Sequence, residues 1–370
     1  MNKKKGQIGI REYVALVLLM IGSKLSDDTA ALLYDKMKNS AWMAPIIGGI
    51  LSVIPIYLLV KVVTNYKDKN LHDVHIHLFG KYIGTILSSG IWLVGTYAII
   101  IDTRGYADII TNIYFTKTPL AAVYSTLILV CAYSAKKGIQ HISSVAWMLV
   151  LYVKIIFALS LFLALQNTQL NRIFPILGPG VKTIIKESFL KSSMFLDFIY
   201  LGLVVPLMSS TKDYKKGTWI VLCLVIIELS GSLLIYELMF DYIPISMLSY
   251  PFHEAIRYIS IGDFLTNVET FFFPIWLITC FIRFSAYLYF SAILFGGIFR
   301  IKNFEKVIPA LSALVFIIGM IPETPAFTTY VLRNQLLNVL SPMILFFPFL
   351  LWIVAKVKGE FKRDQTNTNM

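Results

Sequence analysis

Arg283 and Tyr287 stand four residues apart, so on a helix a guanidinium and a phenol share one face. A guanidinium can hold a carboxylate through two parallel hydrogen bonds. Three readings of Arg283 stay open: a partner for a ligand carboxylate, a structural pair with Asp197 or Glu228, or a lipid-facing side chain that snorkels. Lys154 lies inside the apolar run Tyr152-Val-Lys-Ile-Ile156. A lone ammonium at that depth of a bilayer costs ~3 kcal/mol or more unless it pairs, snorkels or loses its proton. Asp197 is isolated among apolar neighbours and must be paired or face water. Glu228 is the deeper acid of the next apolar run, and Glu237 is expected near its interface. His72, His75 and His77 with Asp73 invite a metal, but their spacing fits neither a zinc finger nor an i,i+4 pair. An interfacial stretch is expected there, with no metal and no cofactor. His253 is expected to be solvated near an outer loop. No phosphate-cradling glycine loop, nucleophile elbow or metalloprotease motif is present, so an enzyme is not expected.

These polar residues are exceptions in a chain of 370 residues that is 57% hydrophobic and 15% charged. Its mean hydropathy is +0.72. A soluble fold of this length cannot hide so much apolar surface, and a bilayer can accept it. The formal charge of +12 does not indicate nucleic acid, because the basic residues punctuate apolar runs instead of lining one face. Cys131, Cys223 and Cys280 sit inside apolar runs and are expected as small hydrophobes. No cleavable signal peptide is expected after Met1-Asn-Lys-Lys-Lys.

The apolar runs predict an all-α integral membrane fold of ten helices. They cover 10–33, 42–63, 82–112, 118–135, 141–165, 191–209, 218–240, 265–296, 307–321 and 335–355. Basic residues concentrate roughly two-to-one on alternate connections, for example Lys61, Lys67, Lys69 and Lys81 against Lys36 and Lys38. That bias predicts cytoplasmic termini and an even number of spans, with lipid contact as a by-product. The organisation is then 1–165, an N-terminal five-helix repeat; 166–190, an outer connection; 191–355, a C-terminal five-helix repeat; and 356–370, a polar cytoplasmic tail. The outer connections 166–190 and 241–264 are either surface loops or short helices that cap a vestibule.

The first helix of each half looks interrupted. The first meets Gly22-Ser-Lys-Leu-Ser-Asp-Asp28, and the sixth reads Ser192-Ser-Met-Phe-Leu-Asp-Phe-Ile-Tyr-Leu-Gly202 before Pro206. Glycine, proline and intramembrane polar groups weaken a helix, and paired weak helices point to an inverted-repeat transporter fold with a midplane site. The alternative is that Gly22 and Gly202 simply allow close packing. On the first reading Gly22, Ser23, Phe198, Ile199 and Gly202 contact a ligand.

Several motifs carry a resemblance. Tyr250-Pro-Phe, Arg257-Tyr-Ile-Ser-Ile-Gly-Asp-Phe264, Trp276 and the Arg283/Tyr287 region form the strongest stretch. Ala41-Trp42, Phe79-Gly-Lys81 with Gly84, Asp102-Thr-Arg104 and Pro175-Ile-Leu-Gly178 support it. The chain resembles the B subunits of bacterial spore germinant receptors, the spore permease (GerAB-like) family of the amino acid–polyamine–organocation superfamily. The resemblance implies a LeuT-like 5+5 inverted repeat with broken first and sixth helices. It implies a pocket for a small germinant, often an amino acid, and a spore inner membrane location. The implied partners are an A subunit and a C lipoprotein. Val94, Tyr97 and Ala98 match the third-helix region that lines the pocket in relatives, although packing explains each equally well. Lys154 matches a fifth-helix lysine that stands in for a bound cation in some relatives and holds the unwound carbonyls. The sequence departs from the family at Lys24-Leu-Ser-Asp-Asp-Thr29, where relatives are commonly apolar, which implies a more polar ligand or an altered break. A proton-coupled amino acid transporter is the alternative function.

Overall fold

The computed structural model describes residues 7–259 and 268–361. The family-like residues 260–264 and the tail from 364 therefore lie outside the described residues. Fourteen α-helices are found among the described residues. They are α1 (Ile10–Gly22), α2 (Thr29–Met37), α3 (Met43–Asn65), α4 (Leu71–Ile109), α5 (Leu120–Lys136), α6 (Ile139–Ala164) and α7 (Val181–Leu190). After these come α8 (Asp197–Tyr200), α9 (Thr211–Phe240), α10 (Tyr242–Met247), α11 (Pro251–Arg257), α12 (Glu269–Phe299), α13 (Ile308–Gly319) and α14 (Asn334–Val357). A π-helical turn, Phe327–Arg333, leads into α14.

Six described helices are long and apolar enough to cross a bilayer, where ten spans were expected. The difference has a local cause. The expected first span is split into α1, a 3-10 turn (Ser23–Ser26) and α2. The expected sixth is a chain of short turns around α8. The expected fourth and ninth are α5, with 17 residues, and α13, with 12. Large apolar side chains such as Ile86, Leu93, Leu151 and Phe162 point outward, as a chain dissolved in lipid requires.

Chain chemistry explains the main irregularities. Asn70 and Asp73 form a reciprocal cap at the start of α4, with N–H···O distances of 3.1 and 3.2 Å. Nine residues later Gly80 takes φ 77°, a left-handed conformation that favours glycine, and the helix kinks. His72 and His75 on one side of the kink both place Nδ1 2.9 Å from Ser88 Oγ on the other. Both are buried within the protein, whereas His77 meets Glu360. Among the described residues no group of three or more metal-ligating side chains forms.

The expected outer connections both contain helices. The stretch 166–190 holds a 3-10 turn and α7, and the stretch after α9 holds α10 and α11. Pro251, Phe252, His253, Ala255 and Ile256 of α11 are buried, so α11 is a cap on the bundle and not a loose loop. Ile8, just before α1, pairs its backbone with Leu207 and Ser209 at 2.9 Å, which ties the two interrupted segments together.

Candidate ligand cleft at the helix break

An α-helix that stops inside a membrane leaves carbonyls without partners, and each must be satisfied by protein. Here Ser23 O accepts from the Tyr106 hydroxyl and from Ser26 Oγ, both at 2.6 Å. Ser26 O accepts from His253 Nε2 at 3.2 Å, and the Trp276 indole donates to Ser26 Oγ at 2.7 Å. Tyr106 and Trp276 stack nearly parallel, with centroids 5.4 Å apart. Thus α4, α11 and α12 each contribute a side chain that holds the break. Because Nε2 must donate to the carbonyl, neutral His253 accepts at Nδ1 from Tyr114 OH, 2.9 Å away. Burial pushes this imidazole down to about 3, so it stays neutral at physiological pH. His253 is therefore a buried structural clasp, which corrects the expectation of a solvated histidine.

The turn has threefold spacing, so residues three apart share an edge. Ser23 and Ser26 face one internal space, and Lys24 and Asp27 face another. The first of these, a cavity of about 40 Å³, also receives Gly22, Lys154 and Glu228. The second, a cavity of about 60 Å³ with an open mouth, is the main cleft between the two breaks, bordered by α4, the α8 region, α12 and α14.

Five buried charges meet at the cleft. Arg283 Nη2 donates to Asp102 Oδ2 at 2.5 Å, and Nη1 donates to Tyr106 OH at 2.7 Å. Arg333 Nη1 lies 3.2 Å from Asp27 Oδ2 and Nη2 lies 3.0 Å from Asp102 Oδ1; the same guanidinium forms an ion pair with Asp28. Both guanidinium groups are thus engaged with three carboxylates. A buried charge is tolerated only when paired in this way. Nearby, Lys24 Nζ donates to Met194 O at 2.9 Å and to Asp197, which also accepts from the Tyr287 hydroxyl.

The expected site residues separate into groups. Ala98, Asp197, Arg283 and Tyr287 line the main cleft. Gly22, Ser23 and Lys154 line the smaller space. Tyr97 is exposed and lines an outward crevice with Arg104 and Phe327. Val94 is half-buried and packs against the core. Phe198 and Ile199 are core residues. Gly202 is buried beside Val63 and Leu71, where a Cβ would make ordinary van der Waals contacts. Arg283 is structurally paired, but with Asp102, not with Asp197 or Glu228. Glu237, three residues from the end of α9, is buried among its neighbours.

Lys154 does not hold the unwound carbonyls; its ammonium pairs with Glu228. A Cβ at Gly22 would lie 2.7 Å from Glu228 Oε1 and 2.9 Å from Lys154 Nζ, so a larger residue there would push the ends of the paired side chains aside. Lys154→Met is expected to lower stability by about 2 kcal/mol, since it leaves Glu228 without its cation. Adding Glu228→Gln should recover most of that loss in thermal unfolding. Two additive losses would show that the residues do not act as a pair.

Comparison with known proteins settles the family. A family model described as spore germination protein (spore permease) matches residues 12–328. The chain belongs to the spore permease family of spore germination proteins. Spore germination protein KB of Bacillus subtilis (strain 168) is 23% identical over 96% of this chain and 99% of its own. Spore germination protein A2 of the same organism is 22% identical over 97% and 98%. Among solved structures, the nucleobase-cation-symport-1 family transporter Mhp1 superposes with a TM-score of 0.65 at 14% identity, covering 92% of this chain and 78% of that one. A manganese transporter from Eremococcus coleocola gives 0.61 at 11%, covering 92% and 77%. This spore permease is an integral membrane protein with a transporter-type, LeuT-like fold. It is not an enzyme: its relatives are germination proteins and its fold neighbours are transporters.

Proposed function

We propose that this chain is the nutrient-sensing subunit of a spore germinant receptor. It binds a small polar solute in the main cleft and signals to an A subunit and a lipoprotein C subunit in the spore inner membrane. On this reading the chain has ten spans in two inverted sets of five and both termini in the cytoplasm. The observation that carries the proposal is the coincidence of two interrupted segments around one cavity of about 60 Å³, with Lys24 of one segment touching Met194 and Asp197 of the other. A solute in the cleft touches both segments at once. It shifts their equilibrium only by binding one arrangement better than another. The cleft differs from the expected one in using the start of α14 and Arg333 beside the first, third, sixth and eighth spans.

A thermal-shift screen of small nutrients on the purified receptor tests this, because a solute that binds the folded state raises the apparent melting temperature. A nutrient at a hundredfold its Kd stabilises by about 2.7 kcal/mol. The proposal expects Tyr287→Phe, which loses the contact to Asp197, to weaken that shift. An unchanged shift for this variant and for Asp197→Asn would place the ligand elsewhere.

The alternative is a proton-coupled amino acid transporter, favoured by the titratable pair Lys154–Glu228 beside the break. Concentrative uptake by proteoliposomes containing this chain alone would support it; binding without flux supports the receptor.

A further inference from the structure

The 3-10 turn at the first break supplies the inference. Lys24 sits in the 3-10 turn and extends across the main cleft to the other interrupted segment. Its ammonium contacts a backbone carbonyl left free by the 3-10 geometry of Ser192–Phe195, and a carboxylate one turn further on. A carbonyl, a carboxylate and a phenol hydroxyl converging at one point make a receptor for an ammonium group. Here the protein fills that receptor with its own side chain.

We propose that Met194 O and Asp197 form an ammonium subsite occupied in cis by Lys24, and that Lys24 thereby excludes solutes carrying a free ammonium group. This deepens the proposed function and rests on the main cleft being the ligand site. The other charges agree with it. Arg283 and Arg333 are engaged with Asp27, Asp28 and Asp102, so a solute carboxylate finds no free guanidinium. A zwitterion would have to displace Lys24 at one end and break a buried ion pair at the other. An uncharged, hydroxyl-rich solute such as a polyol needs neither. The preferred ligand class is therefore an uncharged hydrogen-bonding solute, in place of the amino acid that the family resemblance implies.

Lys24 also separates two spaces. With Thr29 and Met194 it borders both the main cleft and a small apolar space of about 20 Å³ beside Pro45, Leu229 and Leu233. Shortening Lys24 joins the two and leaves Asp197 without its cation, so the truncated protein should accept a free alkylammonium ion there.

The test uses the purified full chain. Lys24→Ala is titrated with n-butylammonium and with L-alanine, followed by thermal shift and by calorimetry, with tetraethylammonium as a salt control. The expected result is that butylammonium binds Lys24→Ala at least tenfold more tightly than wild type, and that Lys24→Ala/Asp197→Asn loses the gain. L-Alanine should bind wild type no better than tetraethylammonium does, since Lys24 fills the subsite and its carboxylate finds no free guanidinium. Equal butylammonium affinity in wild type and Lys24→Ala, or an effect matched by tetraethylammonium, overturns the proposal. Should Lys24→Ala not fold, Lys24→Gln carries the same titration. Wild-type binding of L-alanine that Asp197→Asn abolishes also overturns it, whatever the variants do. The rescue reads the subsite alone. A wild-type screen of myo-inositol, sorbitol and amino acids reads the ligand function, so the two readings can fail separately.

Discussion

Arg333→Met should cost about 3–5 kcal/mol of stability, the usual penalty for removing one partner from a buried ion pair. Arg333 contacts Asp27, Asp28 and Asp102, and all four residues are nearly inaccessible. Without it three buried carboxylates face the single guanidinium of Arg283. The loss should appear as a fall in melting temperature in mild detergent or as failure to accumulate. Asp28→Asn in the same chain removes one excess negative charge and should return part of the loss. An Arg333→Met variant within 1 kcal/mol of wild type would show that the cluster is open to water and weakly coupled.

Trp276→Ala is expected to have a comparable effect, about 3–5 kcal/mol, the usual cost of removing a large buried aromatic side chain. Trp276 is buried, stacks on Tyr106, packs edge-on against His253 and donates to Ser26 Oγ. Its removal takes away the wall of the break and one of its hydrogen bonds together. Trp276→Phe keeps an aromatic surface and loses only the donor, so it should cost about 1 kcal/mol. Equal losses for the two substitutions would mean that the indole N–H, and not the stacking, holds the break. Melting curves of both variants against wild type decide between these outcomes.

The membrane class and the interruptions at 22–28 and 192–207 were legible in the sequence, because hydropathy and helix-breaking residues are local properties. The span count was less legible: glycine, serine and aspartate at the first break shorten α1 to 13 residues, and six described helices are long and apolar enough to cross a bilayer. Pairing of charges was not legible, because the partners lie far apart in the chain. Asp27 and Arg333 are separated by 306 residues. Arg333 reads as a residue of an outer connection, yet the π-helical turn carries it inside. Asp102 was quoted only as part of a motif. The rule that an intramembrane acid needs a partner, applied to Asp102 as it was to Asp197, would have marked it for Arg283. Lys191 shows the same limit: it reads as a connection lysine but is buried against Asn334 and Asn338. His253 lies in the most family-like stretch, and only the three-dimensional contact with Ser26 shows what that stretch holds.

The 3-10 turn Ser23–Ser26 turns about 120° per residue, against about 100° in an α-helix. Rewinding it would swing its serine edge and its Lys24/Asp27 edge together, since both belong to one strip of backbone. If guests in the Lys154/Glu228 chamber and the Asp197 chamber prefer different windings of this turn, their occupancies are linked quantities. Whatever factor a guest in one imposes on affinity in the other must be returned in equal measure, because the linkage is reciprocal.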